Sequence, residues 1–110
     1  MAPRVWHLRL ARADAEQASR WIAAGTFDPP AASRVALQPR DYVFLHREDA
    51  GAIAVGRVLS RGPGRLAVEW ARFPRPLAML GVPRGAGLRM ARAFSWDQKE
   101  LADSMLGPPS

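Results

Sequence analysis

The alternation of apolar and polar residues near the N-terminus predicts a strand that leads into a helix. Residues 5–10 alternate with the two-residue period of a half-buried β-strand, with Trp6, Leu8 and Leu10 on one face and Val5, His7 and Arg9 on the other. Asp14, with Gln17 three residues later, has the spacing of a capping box that opens a helix. Gly25 then stands where the glycine that follows a helix is expected. The pattern therefore predicts a helix between Asp14 and Gly25.

The rest of the pattern predicts short strands joined by turns, and a closing helix. Apolar stretches bounded by turn residues occupy residues 42–46, 52–59, 66–73 and 88–94. Gly56, inside the second stretch, indicates a bulge or a close approach of two backbones. The proline-containing segment 26–40 is irregular, and residues 96–106 read as a helix with an apolar side that ends at Gly107.

Together these elements predict an α+β fold in a single domain over residues 1–110. Short strands linked by glycine-containing turns favour an antiparallel meander. About five such strands cannot protect both faces and both edges of an open sheet in so short a chain. The predicted architecture is therefore a small, curved, mostly antiparallel β-barrel of about five strands, flanked by two or three helices.

Composition narrows the class of protein. The chain has 110 residues, 48% of them hydrophobic, and no cysteine. These values are typical of one globular domain, and the lack of thiols excludes disulfides, thiolate catalysis and thiolate metal sites. No apolar run approaches the ~20 residues that a membrane-spanning helix needs, and the N-terminus lacks the apolar core of a secretory signal. We therefore expect a cytoplasmic protein with no membrane partner.

Positive charge is concentrated in one part of the chain. The net charge is +6, but residues 57–92 contain eight arginines against one acidic residue, Glu69, which gives that segment a net charge of +7. A concentrated positive field attracts phosphates and other polyanions. The sequence therefore favours a nucleic-acid partner over a surface whose charge only aids solubility.

The residues that carry common catalytic chemistry are missing or unsuitably spaced. His7 and His46 each lie in a predicted strand, without the helical spacing of a zinc site. Neither a nucleophile elbow nor a phosphate-binding glycine loop occurs in the sequence. The glycine-containing turn 61–65 includes Pro63, which removes a backbone donor that a phosphate loop uses. We therefore expect a binding module and not an enzyme, with no cofactor and no metal.

The order of several short motifs resembles the PUA-like superfamily, and within it the EVE and YTH domains. Residues 20–28 are similar to a helix of those families that ends in Gly-x-Trp, with Phe27 at the tryptophan position. Further similar stretches are residues 39–45, 50–60, 66–70 and 93–96. The resemblance implies a small curved β-barrel flanked by helices, and a function in reading a modified base that is flipped into an aromatic pocket.

Within that superfamily the sequence resembles the EVE branch more than the YTH branch. The loop that supplies further cage tryptophans in YTH domains is reduced here to residues 61–65, which contain no aromatic residue. A complete cage for N6-methyladenosine is therefore not expected. The EVE-like resemblance implies recognition of modified cytosine in DNA, with DNA preferred over RNA and an effector domain or subunit as a further partner.

The candidate pocket lies at the ends of two predicted helices. Phe27 follows the first helix and Trp96 opens the last one, where a ring can line a mouth instead of filling the core. Asp28 and Ser33, in the loop after Phe27, are placed to meet the polar edge of a base. The predicted phosphate contacts, which position nucleic acid without reading its sequence, are Arg34, Arg57, Arg61, Arg65, Arg89 and Arg92. The tryptophans expected in the core are Trp6, Trp21 and Trp70.

Two other functions fit the same sequence. PUA-like relatives bind structured RNA, so an RNA-binding accessory domain is one alternative. The other is a protein–protein adaptor, such as a subunit of a defence or toxin–antitoxin complex, which would use the proline-rich segment 74–87.

Overall fold

A computed structural model of the protein describes residues 3–29, 36–62, 65–79, 82–83, 87–90 and 96–108, with the backbone alone at Gly87 and Trp96. In chain order the elements are β1 Val5–Leu10, a 3-10 turn Arg12–Asp14, α1 Ala15–Ala24, β2 Thr26–Phe27, β3 Tyr42–Arg47, β4 Gly51–Arg61, β5 Leu66–Leu77, β6 Gly87–Met90 and α2 Trp96–Leu106. The predicted α+β class is confirmed. Of the strand predicted over 88–94, residues 91–94 lie outside the described part.

The six strands form one mixed sheet that curls into a half-barrel. The strand order is β2-β5-β4-β3-β1-β6, so β3, β4 and β5 form the predicted antiparallel meander. β1 pairs in parallel with β3, with Val5 opposite Tyr42, and β6 lies antiparallel on the other side of β1. The curved, mostly antiparallel sheet agrees with the prediction. The pattern did not indicate the parallel pair, the short strand β2 or the extension of β5 beyond residue 73.

Each face of the sheet has its own hydrophobic core. The alternation in β1 places Trp6, Leu8 and Leu10 on the face that α1 covers, called the α1 face. Val5 lies on the opposite face, called the α2 face, which α2 covers. The α1 core includes Trp21, Phe27, Leu37, Val43 and Leu45, whereas the smaller α2 core contains Tyr42, Phe44, Val55 and Ala102. The two faces of β1 are therefore those that its alternation predicts.

The first helix ends as predicted but begins differently. Gly25 has a left-handed backbone (φ 69°), and its amide donates to the carbonyl of Trp21, a conformation that glycine adopts without strain. Asp14 precedes α1, but its side chain makes no capping hydrogen bond. The predicted capping box is wrong because Asp14 has helical backbone angles, whereas an N-cap residue needs an extended backbone. In the described part of the chain, neither helix is long and apolar enough to cross a membrane.

Gly56 marks the closest packing between the sheet and its α1 core. A Cβ atom at this position would lie 2.5 Å from Val68 Cγ1 and 2.6 Å from Trp70 Cε3. Because carbon atoms do not approach so closely, only glycine fits. The close neighbours are side chains of β5 and not a second backbone, so the predicted approach of two backbones is wrong, although the position does require glycine. The β4–β5 register shifts once on each side of Gly56, and such irregularities increase the local twist that lets two long strands curl.

Candidate nucleic-acid interface

The tip of the β4–β5 hairpin presents two exposed arginines. Arg61 ends β4 and Arg65 directly precedes β5. The amide of Gly62 donates to the carbonyl of Arg65 at 2.9 Å and holds the two arms of the turn together. Since both residues are exposed, this end of the sheet offers two guanidinium groups to solvent.

Three more exposed arginines lie on β5 and β6. Arg72 and Arg75 are on β5, and β2 pairs with only the first two residues of that strand. Arg72 is seven residues beyond Arg65, ~23 Å along an extended strand. Arg89 is on β6, the strand at the opposite edge. The hairpin arginines are thus continued by positive charge along β5.

None of these five arginines has a carboxylate partner among the described residues. Arg20 and the half-buried Arg47 do have one, at 3.0 Å from Glu16 and 3.1 Å from Asp49. The exposed arginines outside the +7 segment that likewise have no ion pair among the described residues are Arg4, Arg9, Arg12 and Arg40. An arginine without an acidic neighbour keeps its full positive field and its donors for a ligand. We call this set the arginine surface; it consists of Arg61, Arg65, Arg72, Arg75 and Arg89. Its members do not share one face of the sheet, because Arg72 lies opposite Ala54 of the α1 core, whereas Arg89 lies opposite His7 on the α2 face.

Arg57 is a predicted phosphate contact that the structure places inside the protein. It is 4% exposed and pairs in register with Tyr42 on β3 and Glu69 on β5. One Nη atom donates to Asp103 at 2.9 Å and to the carbonyl of Gly107 at 2.6 Å, while the other lies 3.6 Å from Glu69. The prediction is wrong because this position in β4 faces α2, where the guanidinium group binds the C-terminal end of that helix.

Phe27 is a predicted pocket wall that the structure seals in the α1 core. Its ring is 0% exposed and meets Trp21 and Trp70 edge-to-face, with ring centroids 5.0 and 5.7 Å away. The chain turns inward at Gly25, and the short strand β2 then pairs Phe27 with Leu66. The prediction that this ring lines an open mouth is wrong, because a base cannot reach it.

The remaining predicted residues are described only in part. Asp28 is exposed, immediately after Phe27. Trp96 is the first residue of α2, but its side chain lies outside the described part of the structure. Three further residues lie wholly outside it: Ser33, Arg34 and Arg92. Core packing is confirmed for Trp6 and Trp21, which are buried, and Trp70 packs against the same core.

A buried histidine pair joins three elements, although each histidine alone reads as an ordinary strand residue. His7 on β1 and His46 on β3 are 1% and 5% exposed. His7 Nδ1 lies 2.8 Å from His46 Nε2, and His7 Nε2 lies 3.0 Å from Gln98 Oε1 in the first turn of α2. The parallel pairing of β1 with β3 puts both rings on the α2 face, so only knowledge of that pairing could have identified the cluster.

Hydrogen bonding and burial fix the neutral form of this pair. Because the Gln98 oxygen accepts, His7 carries its proton on Nε2 and accepts at Nδ1 from the Nε2–H of His46. Burial lowers the pKa of His46 to about 4, and repulsion by His7 and Arg9 contributes to the shift. Burial also lowers the pKa of His7, an effect that the hydrogen bond to Gln98 partly opposes. Both rings are therefore uncharged at neutral pH.

Asp41 is a second buried polar group, and its role is structural. Its carboxylate accepts from the indole Nε1–H of Trp6 and from the backbone amides of Arg4 and Gln38, each at 3.0 Å. It is 3% exposed. With three internal donors, this carboxylate binds the N-terminal strand to the segment that precedes β3.

Metal binding and family membership find no support in the molecule. No group of three or more His, Asp or Glu side chains within the described ranges is placed to hold a metal ion. Comparisons of the chain with protein-family models, with curated proteins and with solved structures find no match. The PUA-like resemblance therefore stays a prediction, and the function is argued from the arginine surface.

Proposed function

We propose that this protein is a non-catalytic nucleic-acid-binding module that holds the phosphate backbone on the arginine surface. One observation carries the proposal: five exposed arginines without a carboxylate partner among the described residues come from a single stretch of the sequence, residues 61–89. All five belong to the segment whose sequence has a net charge of +7. A concentration of positive charge is expected on a surface that binds a polyanion.

Arginine suits this task because its planar guanidinium group donates two parallel hydrogen bonds to phosphate oxygens. Arg61 and Arg65 offer a compact pair at the hairpin tip, and Arg72 and Arg75 extend the contact along β5. Duplex DNA, which presents one negative charge per ~1.7 Å of helix axis, is the preferred ligand in this proposal because of the EVE-like resemblance. Phosphate contacts of this kind set affinity and orientation without reading sequence.

Recognition of a modified base is a narrower proposal that rests on the PUA-like resemblance alone. Phe27 is not part of it, because the ring is sealed in the core. A preference for modified cytosine is checked with two duplexes of one sequence that differ only in that base. Equal affinity for the two duplexes would limit the function to backbone binding.

The variant Arg61→Ala/Arg65→Ala is expected to bind a ~20-bp DNA duplex about tenfold more weakly than the wild type at ~100 mM salt. The slope of affinity against salt is expected to decrease by about 2, because each phosphate contact contributes about 1. Both arginines are exposed at a turn, so the fold should be unaffected. Fluorescence anisotropy over a salt series measures affinity and slope together.

A matched control removes the same charge elsewhere. Arg20→Ala/Arg47→Ala deletes one exposed and one half-buried arginine that already have carboxylate partners, and its affinity is expected to stay within about twofold of the wild type. Equal losses in both double variants would contradict a defined interface.

RNA of the same length, used as a competitor, tests the RNA-binding alternative. A stable complex with another protein and no nucleic-acid binding would favour the adaptor.

A further inference from the structure

Three hydrogen-bonded side chains, His46, His7 and Gln98, link β3, β1 and the first turn of α2. We propose that these three linked side chains form an acid-sensitive latch. In its neutral form it holds the N-terminal half of α2 on the sheet, and protonation releases that half while the sheet stays folded. The proposal concerns the movement of a helix and does not depend on nucleic-acid binding.

The hydrogen bonds of the latch assign a tautomer to each neutral imidazole, and burial disfavours the charged form. His7 Nε2–H donates to Gln98 at 3.0 Å, so His7 Nδ1 is left to accept from His46 at 2.8 Å. A proton added to His7 Nδ1 would set two N–H groups against each other as long as His46 keeps its proton on Nε2. A proton added to His46 would place a charge at a site that is 5% exposed, where no described carboxylate is hydrogen-bonded to it. Burying a charge without a partner is costly.

The surroundings of the pair are positive. Arg9 on β1 lies opposite His46, and Arg89 on β6 lies opposite His7. On β4 the residue opposite His46 is the uncharged Ala52, and the Phe44 ring stacks on His7 with centroids 5.4 Å apart. The charged residues that flank Gln98 on α2 are Asp97, Lys99 and Glu100. An added proton is therefore repelled by Arg9, and besides burial this charge lowers the pKa of both histidines.

Movement of helix α2 would expose the histidine pair to water while breaking fewer contacts than movement of β1 or β3. β1 and β3 lie inside the sheet, between β6 and β4, and pair with each other over six residues. The C-terminal end of α2 is held separately, because Asp103 and the carbonyl of Gly107 bind Arg57. Since those contacts contain no histidine, this end stays attached when the N-terminal half lifts.

The direction of the pH effect follows from burial. Burial lowers the pKa of His7 and brings that of His46 to about 4, whereas an exposed histidine titrates near ~6.5. The released form therefore binds protons more tightly than the latched form, and acid shifts the equilibrium toward release. The effect is absent well above pH ~6.5, grows as the pH falls, and levels off below the pKa of the buried pair.

Backbone hydrogen exchange, measured by NMR as protection factors near pH ~7 and pH ~5, tests the latch. In the wild type, protection of the amides at 100–102 is expected to fall about tenfold or more between these values. Protection in β3 and β4 is expected to fall less, because the sheet stays folded. In His46→Gln, which keeps a side-chain N–H donor but cannot titrate, the fall at 100–102 is expected to be about threefold or smaller.

A second variant keeps both histidines and cuts their link to the helix. In Gln98→Ala, protection at 100–102 is expected to be low already near neutral pH, and to depend less on acid than in the wild type. Equal acid-induced losses in α2, β3 and β4 of the wild type would show whole-domain unfolding and overturn the latch. Unchanged protection of α2 in acid would overturn it as well.

Discussion

Replacing Phe27 with alanine is expected to lower the free energy of unfolding by about 3–5 kcal/mol. The ring is 0% exposed and packs edge-to-face on Trp21 and Trp70. Its removal loses the free energy of burial and leaves a cavity that the surrounding rings fill only in part. A domain of this size has a total stability of ~5–15 kcal/mol, so the loss is large. Urea unfolding followed by tryptophan fluorescence measures it.

Phe27→Leu is the matched control, since leucine fills most of the same space. Its expected cost is about 1.5 kcal/mol or less. Because the ring is out of reach of a ligand, both variants should bind nucleic acid as the wild type does wherever they are folded. A Phe27→Ala protein with wild-type stability and lost binding would place the ring in an open pocket and contradict the fold described above.

Replacing Arg57 with methionine is expected to cost about 2–3 kcal/mol of unfolding free energy. Methionine keeps an apolar stem but removes the guanidinium group that binds Asp103 and the Gly107 carbonyl. Loss of one partner from a fully buried ion pair costs ~3–5 kcal/mol. The cost here is lower because the Asp103 and Glu69 side chains are 30% and 43% exposed, so water partly replaces the cation. Chemical denaturation gives the value.

Glu69→Gln separates the two carboxylates around Arg57. Glu69 lies 3.6 Å from the guanidinium group and is the more exposed partner, so its loss is expected to cost under ~1 kcal/mol. Arg57→Met should also leave nucleic-acid affinity unchanged at a temperature where it is folded. If Arg57→Met were as stable as the wild type but bound DNA weakly, Arg57 would be a phosphate contact.

Local patterns predicted the parts of the fold that depend on neighbours in sequence. Alternation in β1 assigned its two faces, and Gly25 marked the end of α1. Gly56 marked a crowded position, but the crowding comes from the Val68 and Trp70 side chains and not from a second backbone. The first two features follow from backbone geometry within a few residues. The concentration of arginine was likewise visible in the sequence, although only the structure separates the buried Arg57 from its exposed neighbours.

Features that depend on distant residues could not be predicted in this way. The parallel pairing of β1 with β3 brings together His7 and His46, which are 39 residues apart, and no local period encodes it. Phe27 lies in a strand of two residues, too short to show an alternation that would assign the ring to the core. The burial of Arg57 follows from the placement of α2, which closes the chain about 50 residues later.

The most direct test of the proposed function is to map a bound DNA duplex on the protein by changes in backbone amide chemical shifts. We expect the largest changes at the hairpin 61–65, along 72–77 of β5 and at Arg89, with the α1 amides almost unchanged. Absence of any change at saturating duplex, or changes confined to α1, would contradict the assignment of the arginine surface as the nucleic-acid interface.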